Sequence, residues 1–368
     1  MIDHAKVRVL VVDDSALARR AITDALTRDP GIEVIGGAAD PYIAREKILE
    51  LDPDVITLDL EMPRMDGITF LKILKEHHPV PVVVVSSLTP AGSLKAMEAL
   101  EAGAMDVVGK PDGSRNFAEI AGVLAYHVKA AARSRTTLSV KESIITESKD
   151  QSKMFPPGSF SRRQVILIGA STGGVEALRY ILPRLPSGLP PIVVVQHIPA
   201  NFSRIMAQHL DQLCPFHVSE ATDGKELGFG MCVVAPGDFH LALLRSAMGY
   251  KVRLTQSPPV HHCRPAVDVL FQSAAALAGS HAVAALLTGM GVDGALGLQA
   301  LQAVGSQTLA ESEESCVVYG MPRAAIKIGA ANRVVPLTGM PQAILDEVVK
   351  KGMESGRKLE SEDGRASC

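Results

Sequence analysis

Tryptophan is absent from this chain of 368 residues, so no intrinsic indole reporter exists at any one site. No stretch approaches the roughly 18 unbroken apolar residues of a membrane span. The opening Met1-Ile2-Asp3-His4 lacks the charged-then-apolar layout of a secretory leader. These absences point to a cytoplasmic protein without membrane insertion. Cysteine is sparse. The five residues Cys214, Cys232, Cys263, Cys316 and Cys368 are odd in number, widely spaced and confined to the second half, unlike a disulfide framework or a paired zinc knuckle. Reduced thiols are the simplest expectation. Basic residues are not in excess either: a net charge of -3 argues against a surface built to hold nucleic acid, and no DNA partner is expected. No internal repeat is present. What the chain does have is 47% apolar and 21% charged residues, enough for about two globular domains with a core each.

Through residue 132, short β-branched runs alternate with amphipathic stretches, the pattern of a parallel sheet covered by helices. Strands are expected at 7–12, 32–39, 55–58, 82–85 and 104–108, and helices at 17–26, 43–51, 69–76, 94–101 and 117–132. Five βα units fit a flavodoxin-like domain with five parallel strands over residues 1–132. From 133 to 163 the chain turns polar and aperiodic, contains Pro156-Pro157-Gly158, and reads as an interdomain linker, with a short helix over 140–147 left open. A second α/β pattern fills 164–350. It is read as a doubly wound, mainly parallel domain with an antiparallel hairpin at 240–244 and 251–254, joined through Met248-Gly249. Further strands are expected at 165–168, 192–196, 231–235, 283–287 and 333–335, and a polar, frayed tail over 351–368.

Asp13 and Asp14 end the first expected strand and Asp59 ends the third, at the carboxyl edge where open α/β sheets bind ligands. Converging carboxylates repel one another, and a hard divalent cation, Mg²⁺ in particular, relieves that repulsion. Asp59 is then a candidate nucleophile for an acyl phosphate. Ser86 and Lys110, ending two further strands, supply a donor and a charge for a phosphoryl group. The Lys110-Pro111 bond is a place where a cis peptide would aim the lysine. Taken singly, each aspartate reads as readily as a helix N-cap or turn residue. Together the segments 9–15, 59–67, 85–87 and 109–111 closely resemble the receiver domain of two-component response regulators. The resemblance implies Asp59 as phosphoacceptor and Mg²⁺ held by Asp14, Asp59 and the Glu61 backbone carbonyl, with Asp13 close by. It also implies Ser86 and Lys110 as the signalling pair.

In the second half, Ile168-Gly169-Ala170-Ser171-Thr172-Gly173-Gly174 places a serine between a strand and a helix. A serine hydroxyl becomes a nucleophile when a base takes its proton and donors await the oxyanion. His197 and Asp293 end or follow strands expected at the same sheet edge, which gives a Ser, His, Asp set admissible as a triad. On the turn alone a phosphate cradle or a plain turn is the better reading, His197 alone is as readily a core histidine, and Asp293 alone an N-cap. His261-His262-Cys263 suggests metal, but lacks a partner cluster at zinc spacing. A Walker loop is disfavoured because no Lys-Ser or Lys-Thr follows.

Over residues 165–349, the stretches 168–174, 196–199, 235–238, 264–271, 287–294 and 315–322 resemble the catalytic domain of chemotaxis receptor protein-glutamate methylesterases. Carried over, Ser171 is the nucleophile, His197 the general base and Asp293 the orienting acid. Thr172 lies beside the nucleophile, and the Met290 backbone N–H is an oxyanion donor. Val292 departs from the asparagine common there. The resemblance implies phosphorylation-activated hydrolysis of glutamate γ-methyl esters on methyl-accepting chemoreceptors, with deamidation of receptor glutamines. A chemotaxis histidine kinase would be the phosphodonor, and the esterase reaction would need no cofactor. Two alternatives stand beside it: a response regulator whose second domain is a non-catalytic binding module, and a nucleotide-binding module using residues 169–174.

Overall fold

A computed structural model describes residues 6–87, 89–111, 117–134, 155–156 and 159–363; the helix considered at 140–147 and the ends of the chain lie outside them. The chain divides into two compact units, residues 1–145 with 198–205 and residues 146–197 with 206–368.

In the first unit, β1 (Val7–Val12), β2 (Ile32–Ala38), β3 (Val55–Leu58), β4 (Val82–Ser86) and β5 (Asp106–Gly109) form a parallel sheet in the order β2-β1-β3-β4-β5. Strands β3 and β4 are buried throughout, as continuous apolar runs are when helices cover both faces of a parallel sheet. The helices are α1 (Ala16–Leu26), α2 (Pro41–Leu51), α3 (Gly67–His77), α4 (Pro90–Glu101) and α5 (Phe117–Ser134). Their starts are set by short polar side chains. Ser15, Asp40, Asp66 and Thr89 accept from amides of the first turns of α1 to α4, each contributing about 1 kcal/mol. None of Asp13, Asp14 and Asp59 caps one of these four helices, though Asp13 Oδ1 accepts from Ser15 N at 2.9 Å as a turn aspartate does.

The second unit is built on seven strands. They are β6 (Val165–Ala170), β7 (Ile192–Gln196), β8 (His217–Glu220), β10 (Met231–Val234), β13 (Ala282–Leu286), β14 (Gln307–Glu311) and β15 (Arg333–Val335). All pair in parallel, in the order β15-β14-β13-β6-β7-β10-β8. The covering helices include α6 (Gly174–Ile181), α7 (Phe202–Leu213), α8 (Val267–Ala278), α9 (Ala295–Ala303), α10 (Met321–Lys327) and α11 (Met340–Asp363). From β6 the chain moves one way to β7 and later returns to place β13 on the other side. That reversal is a topological switch point, where ligands of open α/β sheets bind.

The expected hairpin is present as β11 (His240–Ser246) and β12 (Gly249–Thr255), but it belongs to a separate sheet in which β9 (Glu226–Leu227) pairs antiparallel with β12. Strands β8, β9 and β14 escaped sequence reading because they are short and carry polar residues that blur the alternation. Helix α11 runs on to Asp363, through the stretch whose composition suggested fraying. Lys110-Pro111 is trans; among the described residues the cis peptide is Arg264-Pro265.

Candidate active sites

Parallel pairing brings the ends of β1, β3, β4 and β5 to one edge of the first sheet. Lys110 Nζ lies there 2.9 Å from Asp13 Oδ2 and 2.8 Å from Asp59 Oδ2, and this double engagement, not a cis bond, aims the lysine. Asp13 and Asp59 are buried and Asp14 is exposed. Burial pushes the Asp59 carboxyl above its ordinary value; Lys110 pulls the other way and Asp13 adds to the push. For Lys110, burial works against the charge, but Asp59 and Asp13 outweigh it and hold the ammonium above its usual value. The Asp13, Asp14 and Asp59 carboxylates each bring an oxygen within 4.8 Å of the others, an all-oxygen set that suits a hard divalent cation. The buried Asp13 Oδ2 has the Lys110 ammonium at 2.9 Å as its partner, and a carboxylate oxygen so paired still has a lone pair to offer a cation. Glu61 donates its backbone N–H to Asp59 Oδ1 at 3.4 Å, while its side chain pairs with Lys95 at 2.9 Å. The Ser86 hydroxyl is buried and donates to Gly92 O at 3.4 Å, toward the first turn of α4.

The second centre lies at the switch point between β6 and β13. Ser171 leaves β6, His197 leaves β7 and Asp293 stands in the turn after β13, so one sheet edge gathers three residues distant in the chain. Gly173, with φ of 77°, turns the chain into α6 in a conformation that favours glycine. At Gly289 a Cβ would lie 2.6 Å from the Ser171 Cβ, so only glycine lets the turn after β13 come this close to the serine. Ser171 N donates to Thr288 O at 3.0 Å, and Thr288 Oγ1 donates to Thr172 O at 3.0 Å, stitching the two turns together. Met290 follows Gly289 in that turn.

His197 Nε2 is 2.7 Å from Asp293 Oδ2, with both residues buried. Asp293 Oδ2 also accepts from Val267 N at 2.7 Å, and Asp293 Oδ1 accepts from Asp268 N and Gly294 N, each at 2.9 Å. The first two amides open α8, so a carboxylate from another turn occupies the positive end of that helix. Burial pushes the Asp293 carboxyl up, but His197 and these amides outweigh it and hold it below the ordinary range. For His197, burial pulls the imidazole down, yet the Cys263 sulfur and Asp293 hold it well above its ordinary value. The other ring nitrogen, Nδ1, is 3.4 Å from Cys263 Sγ. The Ser171 hydroxyl is buried and makes no hydrogen bond among the described residues, so the structure brings serine and histidine to one edge without joining them.

The His261-His262-Cys263 triplet does not gather around one point. His261 pairs with Asp268 at 3.0 Å while Cys263 faces His197. His261, Asp268 and Asp293 lie within reach of one another, but the Asp293 oxygens are already taken by three amides and an imidazole. This is a hydrogen-bonded network, not a cation site.

A family model described as CheB methylesterase matches residues 166–344, and one described as response regulator receiver domain matches residues 9–121. A protein-glutamate methylesterase/protein-glutamine glutaminase of Syntrophus aciditrophicus is 47% identical over 354 residues, covering 94% of this chain and 99% of its own. The chain belongs to the CheB methylesterase family. A protein-glutamate methylesterase/protein-glutamine glutaminase of Chromohalobacter salexigens is 46% identical over 354 residues, covering 96% of this chain and 98% of its own. The crystal structure of the Thermotoga maritima CheB methylesterase catalytic domain has 40% identity and a TM-score of 0.49, covering 50% of this chain and 97% of that one. The acidic cluster falls within the receiver match and the serine centre within the methylesterase match. A purely binding role for the second half of this CheB-family chain finds no support.

Three residues at the CheB centre escaped sequence reasoning. Gln196 donates from Nε2 to Ser171 O at 2.8 Å and to His197 O at 3.1 Å, spanning the two turns. Glu311, buried at the end of β14, accepts from Thr288 N at 2.9 Å and supports the turn that holds Ser171 N. Cys263 is the third. Each acts through contacts between segments far apart in sequence; Gln196 stood beside the histidine in its motif, and Cys263 in a triplet that drew attention only as a metal candidate.

Proposed function

We propose that this CheB-family chain hydrolyses glutamate γ-methyl esters on methyl-accepting chemoreceptors, releasing methanol, and deamidates receptor glutamines, under control of phosphorylation at Asp59. The observation that carries this reading is the buried His197–Asp293 pair beside the Ser171 turn at the switch point. Because Asp293 occupies Nε2, Nδ1 is the nitrogen left to take the Ser171 proton. Ser171 Oγ, next to Thr172 in the chain, attacks the ester carbonyl, with Asp293 orienting and charge-balancing the imidazole and the Met290 N–H receiving the oxyanion. His197 then gives its proton to the departing methoxide, methanol leaves, and water activated by His197 frees the glutamate. An amide substrate follows the same course with ammonia as the leaving group.

In the receiver, Asp59 accepts the phosphoryl group from a histidine kinase, and Ser86 and Lys110 answer its charge. Asp13, Asp14, Asp59 and the Glu61 backbone carbonyl would hold Mg²⁺, which when bound neutralises the crowded carboxylates and an incoming phosphoryl oxygen. The domain limits that go with this reading are 1–132 for the receiver, 133–163 for the linker, 164–350 for the esterase and 351–368 for a tail. The site of action is the cytoplasmic part of the receptor; no helix among the described residues is long and apolar enough to cross a membrane.

The test is methanol release from methylated receptor membranes by the full chain, with and without a small-molecule phosphodonor and Mg²⁺. Release is expected to fall by a factor on the order of 10⁶ in Ser171→Ala, and the phosphodonor stimulation to vanish in Asp59→Asn. Undiminished release by Ser171→Ala would overturn the reading.

A further inference from the structure

The nitrogen that must take the serine proton is engaged by another side chain. His197 Nδ1 is 3.4 Å from Cys263 Sγ, whereas the buried Ser171 Oγ makes no hydrogen bond among the described residues. The sulfur is held in place by its own backbone: Val260 N donates to Cys263 O at 3.1 Å and Cys263 N donates to Val260 O at 2.9 Å, closing a tight turn. The two residues between them, His261 and His262, have φ of 51° and 65°. The turn is pinned from outside by His261 on Asp268 at 3.0 Å and by the neighbouring Arg264 on Asp238 at 3.0 Å. The backbone that carries the thiol is thereby fixed beside the His197 ring.

We propose that Cys263 is a positioning residue of the esterase: its sulfur holds the His197 ring through Nδ1 in the resting site and sets the pH at which that nitrogen becomes available to Ser171. The inference rests on the triad reading above. An sp² nitrogen has one lone pair in the ring plane, so an imidazole facing Sγ through Nδ1 cannot at the same time accept from the serine hydroxyl. The titratable groups around the ring are Asp293 on Nε2 and Cys263 on Nδ1, with Asp268 and His261 behind Asp293. Asp293 and Cys263 favour the protonated imidazole, which holds His197 well above its ordinary value in spite of burial. A protonated ring is no base. Of these groups, Cys263 is the one on Nδ1, the nitrogen that Asp293 leaves open. Removing it should therefore free the base at lower pH while leaving its Asp293 anchor in place.

The experiment measures kcat/KM for methanol release against pH in full-length wild type, Cys263→Ala and Cys263→Ser, with thermal unfolding of each. The near-isosteric serine variant guards against a packing defect. The acid limb is expected to move to lower pH in both variants, and further in Cys263→Ala, which leaves nothing on Nδ1, than in Cys263→Ser, whose hydroxyl can still engage it. A limb that stays in place or moves upward in both overturns the proposal. Wild type that releases no methanol, or Ser171→Ala that releases it normally, sinks the triad reading and this inference with it; an active, Ser171-dependent wild type with an unmoved limb sinks the role of Cys263 alone.

Discussion

The two centres hold a buried carboxylate in opposite ways. Burial pushes the Asp59 carboxyl up, and the single ammonium of Lys110, which it shares with Asp13, does not offset that push, so its charge is under-compensated. Asp293 receives three amides and an imidazole, and its pKa falls although it too is buried. Burial alone therefore does not decide the state of a carboxylate; what its oxygens receive does. An under-compensated acid is ready for an incoming cation or phosphoryl group. A saturated one is a fixed anchor for the group beside it.

The hardest test of this contrast is to unsaturate the second site. Asp293→Asn should lower kcat by about 10⁴-fold by losing the charge that steadies the imidazolium. It should also destabilise the second unit by about 3 kcal/mol, since the histidine is left buried without its charge partner. Steady-state kinetics and denaturant unfolding check the two numbers, and a small loss in both would mean that Asp293 is no anchor. Next in size is Gly289→Ala. Its methyl would enter at 2.6 Å from the Ser171 Cβ, and displacing the serine by a fraction of an ångström should cost about 10²-fold in kcat.

At the first site the sign reverses. A raised folded-state value means the fold favours the proton-bound carboxyl, so the ionised Asp59 present at neutral pH costs stability. Asp59→Asn should accordingly stabilise the protein modestly in metal-free buffer, seen as a higher denaturant midpoint at neutral pH. A destabilised variant would show that the Lys110 pairing dominates. The smallest effect is on the pH profile of the second site. The Asp293 contribution is complete above about pH 4 and is lost as pH falls through its lowered folded value; that of His197 is complete below about pH 6.5 and is lost as pH rises through its raised folded value. The stability gap between wild type and His197→Ala should be widest between about pH 4 and 6.5 and narrow on either side.

The first unit was legible almost strand by strand because its βα units are short and regular, and its strands are rich in β-branched residues, as in Val82-Val83-Val84-Val85. The second unit was legible at the strands carrying Ser171 and His197, and its site residues at their turns. Strand β14 was missed because Thr308 and Glu311 break its apolar run; Glu311 is buried for what it holds and not for its hydrophobicity. Nothing local to residue 263 says that it will meet residue 197. That encounter depends on the loop before α8 passing the end of β7, a fact of topology.

That topology also orders events in time. Strand β6 lies between β7, made soon after it, and β13, which begins at Ala282 and ends a few residues before Asp293. A ribosome must add more than a hundred residues before the strand leading to Ser171 gains its second neighbour, and an open parallel edge in a nascent chain invites wrong pairings. Asp293 emerges just after the strand that closes this edge. A chain interrupted before β13 would thus be both sticky and inert, whereas one that has closed its sheet has in the same step assembled its esterase.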